Sequence, residues 1–193
     1  MPSRIKYQDI KDMKPQEAYD YLCALEKTSV KDMKMRELLN KEALDKPIMD
    51  SFFRDLSPRG VYLFFTPQGH ISYVGKTTES FYKRILIQLD PGSYSDRAYN
   101  NLLLKMGTKR HNVDSSQLEE EHLYDDLEEL NNYRLLMIDA GSKEEFDDYL
   151  VGRLERILLW MVNSIDTTAF LNTGVAYLQD HHWEQTIDQI LYE

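Results

Sequence analysis

Runs of alternating and helically spaced apolar residues divide this chain into a strand-rich centre with helical flanks. Val61-Tyr62-Leu63-Phe64-Phe65 and Ile71-Ser72-Tyr73-Val74 are short β-branched and aromatic runs separated by the turn-forming stretch Pro67-Gln68-Gly69, which predicts a β-hairpin. Side chains alternate faces along a strand, so Tyr62 and Tyr73 are expected near each other on one face of the pair. Ahead of the hairpin, Pro15 followed by Ala18, Tyr21, Leu22 and Leu25 at helical spacing predicts a first helix over about residues 15–27. Ser29 can cap a second helix through Met33, Leu38 and Leu39 that ends before Pro47.

Behind the hairpin, Thr77 or Thr78 can cap a helix running to about Leu89, where Asp90-Pro91-Gly92 stops it. Ala98, Leu102, Leu103 and Met106 predict another helix within residues 96–106, and Leu118, His122, Leu123, Leu127 and Leu130 make the acidic stretch 114–129 an amphipathic one. Residues 133–138 predict a third strand. Ser142, with Glu145 three positions on, is a capping-box signal for a long helix to about Val162. The expected fold is α+β: a small three-stranded mixed or antiparallel sheet flanked by helices. Residues 1–57 form an N-terminal helical extension, 58–175 the core with an acidic insertion at 112–130, and 176–193 a C-terminal helix from about Trp183 to Leu191.

With 193 residues and 42% hydrophobic content the chain can bury a core. No apolar run approaches the ~20 residues that span a bilayer, and Met1-Pro2-Ser3-Arg4 leads into a polar segment rather than a signal-peptide core. One cysteine, Cys23, excludes an internal disulfide, so a cytoplasmic location is expected. Cys23 lies beside Tyr21, Leu22 and Leu25 and reads as a packing residue, with a reactive thiol as the alternative. His181-His182 lacks a third ligand at recognisable spacing and reads as the polar start of the last helix.

The formal net charge is −10, but its distribution changes the picture. Residues 1–57 balance. Residues 58–111 carry eight basic side chains, Arg59, Lys76, Lys83, Arg84, Arg97, Lys105, Lys109 and Arg110, against three acidic ones. Residues 112–130 carry eight acidic side chains and no basic one, a solvated face, a partner surface or a mimic of nucleic-acid charge. A local excess of +5 (eight minus three) beside acidic flanks is compatible with a focused phosphate-binding surface.

Gly60-Val61-Tyr62, then Tyr73-Val74-Gly75 followed by Lys76-Thr77, then a helical Arg84 resemble the GIY-YIG nuclease family, named for this motif pair. Further along, Glu155 in a helical segment and Asn172 in Leu171-Asn172-Thr173-Gly174 match the family's metal-holding glutamate and its supporting polar residue. The resemblance covers roughly residues 58–175. It implies a divalent-metal-dependent endonuclease acting on DNA, of the restriction or phage and mobile-element type. Tyr62, Tyr73, Arg84, Glu155, Asn172 and Lys76 would be its catalytic residues, Glu155 the ligand of Mg²⁺ or Mn²⁺, and Arg59, Lys76, Lys83, Arg97, Lys105, Lys109 and Arg110 its DNA contacts. Several members carry a histidine one helical turn after the arginine. Gln88 stands there in this chain, leaving His70 and His111 as candidate substitutes.

The chemistry explains the combination. Phosphodiester hydrolysis needs an activated water, a cation against the charge developing on phosphate, and help for the leaving oxygen. Glu155 supplies a hard oxygen ligand, and Mg²⁺ commonly takes only one or two carboxylates. Arg84 offers fixed donors to phosphate oxygens. Tyr62 would position or deprotonate the water, with Tyr73 adding a hydrogen bond; a phenol of pKa ~10 needs a nearby cation such as Lys76 or the metal. One active site cuts one strand at a time, so double-strand cleavage calls for a homodimer or two visits, with the helices of residues 15–45 as a candidate dimer surface. The alternative is a catalytically inactive GIY-YIG fold that binds protein or nucleic acid.

Overall fold

A computed structural model describes residues 3–31, 58–79, 102–114 and 128–172, together with positions 81, 84, 85, 117, 118, 125 and 126. Five strands form one mixed sheet: β1 (Arg4–Lys6), β2 (Thr28–Ser29), β3 (Gly60–Phe65), β4 (Ile71–Thr77) and β5 (Arg134–Asp139). The helices delimited among the described residues are a short 3₁₀ turn (Tyr7–Asp9), α1 (Pro15–Ala24), α2 (Leu102–His111) and α3 (Asp148–Ile165). The fold is α+β as expected, but the expected three strands are five. The two extra strands come from the segment expected to be a helical extension, where Ser29 pairs with Arg134 in β2.

Strand β3 is central, antiparallel to β4 on one side and to β5 on the other. The free edge of β5 is shared: β1 runs parallel along residues 137–139, and β2 antiparallel along 134–135. Strands β3 and β4 form the expected hairpin. Between them Thr66 N–H donates to the His70 carbonyl at 2.9 Å, and Gly69 turns the chain at φ +92°. The register is Tyr62 opposite Gly75 and Phe64 opposite Tyr73, with Ser72 inserted as a bulge before Ile71 meets Phe65. A bulge places two successive residues against one and re-aims side chains locally.

Two apolar clusters sandwich the sheet, and strand alternation decides which residue joins which. Tyr62, Phe64, Tyr73, Leu135 and Met137 face Phe81, Ile85 and the α2 residues Leu102 and Met106. Val61, Leu63, Phe65, Val74, Leu136 and Ile138 face α1 and α3 through Ala18, Leu22, Val151, Leu154, Leu158 and Met161. All six β3 residues are buried, as a central strand covered on both faces requires.

Helix α1 matches its expected start, with Pro15 at the first position. Helix α3 begins six residues later than expected. Ser142 and Glu145 do exchange capping-box hydrogen bonds, at 3.1 and 3.3 Å, but these close an isolated turn. The helix is capped by Asp147, whose carboxylate accepts from the Leu150 N–H at 2.8 Å. Of the helix expected after Thr78, positions 81, 84 and 85 are described and helical, while the expected second helix beyond residue 31 and the C-terminal helix lie outside the described residues.

Candidate active site

Strand β4 gathers the motif. Tyr73, Gly75 and Lys76 belong to it, and three other expected site residues meet it. Gly75 lies directly opposite Tyr62, and a Cβ there would overlap the Tyr62 ring and hydroxyl, so the second motif's glycine is the space the first motif's tyrosine fills. Gly60 has φ +149°, and a Cβ on it would collide with the Ile138 carbonyl; both positions therefore demand glycine on steric grounds. Tyr62 stacks on Tyr73 at 6.2 Å between centroids.

Lys76 projects to the α3 face, where its ammonium lies 3.0 Å from the Glu155 carboxylate. Gly152, one turn earlier on α3, leaves the ammonium room: a Cβ there would come within 3.2 Å of it. Glu155 is 20% exposed and Lys76 40% exposed at the side chain, so the pair sits at a rim rather than in the core. Asn172 clamps the outer edge of β4. Its side-chain carbonyl accepts from the Val74 N–H at 2.9 Å and its amide donates to the Val74 carbonyl at 2.8 Å, while Leu171 N–H donates to Ser72 at 2.8 Å. The segment 169–172 thus acts as a substitute strand that satisfies an otherwise open edge.

The sheet nevertheless divides the set. Tyr62 and Tyr73 point to the α2 face, whereas Lys76 and Glu155 meet on the α3 face. Tyr62 is fully buried and Tyr73 is 3% exposed. The ammonium of Lys105 on α2 lies 5.3 Å from the Tyr73 ring centroid, a cation–π contact, and burial lowers the pKa of this lysine. Lys76, named from sequence as the cation for a tyrosine, instead serves Glu155; the cation over a motif tyrosine is Lys105. Arg84 lies between Phe81 and Ile85, and its Nε is buried without a hydrogen-bond partner among the described residues.

The expected DNA-contact residues fare unequally. Arg59 is buried; its guanidinium donates to the Ser142 carbonyl at 3.3 Å, to the Phe146 carbonyl, and to Asp148 at 2.6 Å. That arginine fastens the start of β3 to the start of α3 and is removed from the phosphate surface by its burial. Arg110 is held at 2.8 Å by Glu129 and at 3.2 Å by the fully buried Asp126, both from the acidic insertion. Lys109 is exposed, with a long 3.4 Å hydrogen bond to the Phe170 carbonyl. Lys83 and Arg97, like Gln88 and His181-His182, lie outside the described residues. No group of three His, Cys, Asp or Glu side chains gathers as a metal cage among the described residues.

One polar cluster carries no sequence signal, because its members are far apart along the chain. His70 Nδ1 lies 2.5 Å from Asp166, which also accepts from the Tyr19 hydroxyl at 3.2 Å. The Thr168 backbone N–H first, then the Thr168 side chain and His70, hold the Asp166 carboxyl at about 2. Burial first, with Cys23 and Asp166 adding to it, pushes the Tyr19 phenol well above its ordinary value. Cys23 is half-buried beside Tyr19, and burial raises its thiol, the setting of a packing residue rather than of an activated thiolate.

Against known proteins, the chain matches no protein-family model, no curated protein and no solved structure. Among the described residues no helix is long and apolar enough to cross a membrane.

Proposed function

We propose that this chain is a divalent-metal-dependent endonuclease of the GIY-YIG type that hydrolyses DNA phosphodiester bonds. The observation that carries the proposal is the convergence on β4: residues separated by up to 110 positions, from Tyr62 to Asn172, pack against, pair with or clamp one seven-residue strand. The motif glycines supply independent support, since each is required by the tyrosine or carbonyl beside it.

Glu155 would hold the metal. One partly exposed carboxylate suits Mg²⁺, which keeps most of its waters and takes few protein ligands; Lys76, on a flexible and exposed stem, competes for the same oxygen and would swing toward substrate phosphate. When bound, the metal would supply a Lewis acid for the phosphoryl oxygens. Asn172 holds β4 in place through both the carbonyl oxygen and the NH2 of its side-chain amide. Tyr62 and Tyr73 are both buried on the face of the sheet away from Glu155, so the proton role assigned to Tyr62 from sequence passes to neither, and the two rings would serve the site by holding β4 in place. Arg84 would offer its donors to phosphate.

A second reading, a GIY-YIG-like fold that binds without cutting, is favoured by the full burial of Tyr62 and by the neutralised Glu155. Incubation with supercoiled plasmid separates the two. Nicked or linear product that needs Mg²⁺ or Mn²⁺ supports the enzyme, whereas retention of plasmid in a gel shift with no product in either metal supports the binder. A dimer on the N-terminal segment remains part of the proposal, tested by light scattering alongside the plasmid time course.

A further inference from the structure

A cavity of about 200 Å³ opens beside α2 and the segment that clamps β4. Its described walls are of two kinds: Met106, Tyr133 and Leu171 make an apolar and aromatic floor, and Lys109, Arg110 and Glu129 a charged rim. It adjoins the motif on two sides. Lys105, one helical turn before Lys109, lies over Tyr73, and Tyr133 hydrogen-bonds Ser72, the bulge residue next to Tyr73. Ala169, also in the wall, accepts from the Ser72 hydroxyl at 3.1 Å.

We infer that this cavity, beside β4 on its α2 side, takes a single unpaired nucleotide of the substrate, so that the substrate is single-stranded or locally opened DNA. The inference rests on the proposed nuclease reading. A nucleotide has a flat apolar body, a polar edge and an anionic tail, and the cavity offers each a counterpart. Met106, Tyr133 and Leu171 cover a base, as the stacking platforms of single-strand binders do. Glu129 accepts from, and Arg110 donates to, a base edge. These two already meet at 2.8 Å across the rim, so a base engages them as a preformed donor–acceptor couple. Lys109 and Lys105, spaced one turn apart on the same helix, are left for consecutive phosphates, with Lys105 aligned toward Tyr73. A duplex cannot present a base this way without unstacking it, which costs free energy that an already unpaired base does not require.

The test is fluorescence anisotropy in EDTA, so that no cleavage occurs, with a labelled oligonucleotide presented single-stranded and annealed. The single strand should bind roughly 5-fold tighter or more, the low end of what stacking one base contributes. Ala169→Leu, which fills the cavity, should abolish that preference. Lys109→Met, an exposed change that cannot unfold the protein, should weaken both forms and flatten the salt dependence by about one phosphate contact. Deoxyadenosine monophosphate should displace the single strand from the wild-type protein at concentrations where inorganic phosphate does not. Equal competition by inorganic phosphate, or an unchanged preference in a folded Ala169→Leu protein, overturns the inference. Failure of the nuclease reading is distinguishable: a protein inert toward plasmid that keeps the single-strand preference retains the cavity's role, and an active nuclease without it loses the cavity alone.

Discussion

Gly75 shows how one missing methyl group joins two motifs. The Tyr62 ring occupies the space where a side chain at residue 75 would be, and Tyr62 is fully buried against Phe64, Tyr73 and Phe81. Gly75→Ala should therefore lower stability by about 1–3 kcal/mol, the usual cost of overpacking a tight site, measured by thermal or urea melts. A Gly75→Ala protein as stable as wild type would show that the ring is not confined. Asp166 makes a second residue-scale case, with a sign that can be worked out. Its folded-state pKa is depressed to about 2, so its contribution is present above the ordinary carboxylate value near 4 and is lost as pH falls through about 2. Asp166→Asn should cost about 1–2 kcal/mol at pH 7, as loss of charge-assisted hydrogen bonds does, and the gap from wild type should shrink between pH 4 and pH 2. A gap independent of pH would mean that packing, not charge, is the cause.

At the scale of elements, short-range signals were legible and long-range ones were not. The hairpin, the third strand and α1 follow from periodicity and turn chemistry within a few residues, and all three form close to where the sequence predicts them. Strands β1 and β2 are only three and two residues long, too short for any periodic pattern. They exist because β5, more than a hundred positions away, offers a free edge. The start of α3 was misplaced for a different reason: a capping box specifies hydrogen bonds, not helix length, and the Ser142–Glu145 box is spent on a turn. Asp147→Ala should consequently cost about 1 kcal/mol, within the range for N-cap removal, whereas Ser142→Ala should cost a few tenths. Urea denaturation of the two variants checks this. A larger loss at Ser142 would place the functional start of the helix there after all.

Across the whole molecule, the candidate site was legible as residue types but not as faces. The family resemblance singled out Tyr62, Tyr73, Lys76, Glu155 and Asn172 along with Arg84, and these five come together at β4; that Lys76 and Glu155 lie on the opposite side of the sheet from the tyrosines depends on which element covers which face, and that is a tertiary fact. The charge partition suffered similarly. Arg59 finds Asp148 89 residues away and Arg110 finds Glu129 19 residues away, so part of the local positive excess is neutralised by partners no window around it contains. The described residues 3–31 of the N-terminal segment pack into the sheet, since β1 and β2 complete one edge of it and α1 packs on α3 through Ala18 and Leu22. A chain beginning at residue 58 should therefore be insoluble or melt far below the full chain, because it exposes an unpaired strand edge and an uncovered apolar face. A truncated protein with an unchanged melting temperature would restore the appendage.

The claim that most needs testing is that the strand-centred cluster cuts phosphodiester bonds through Glu155. Initial rates of plasmid nicking in Mg²⁺ for the wild-type chain and Glu155→Gln address it most directly, because the substitution keeps size and removes only the anionic ligand. The account predicts metal-dependent nicking by the wild type and a loss of roughly 10²-fold or more in the variant, on the scale of removing one catalytic electrostatic group, with melting curves that stay close. Equal nicking by both folded proteins, or none by the wild type in either Mg²⁺ or Mn²⁺, would contradict it.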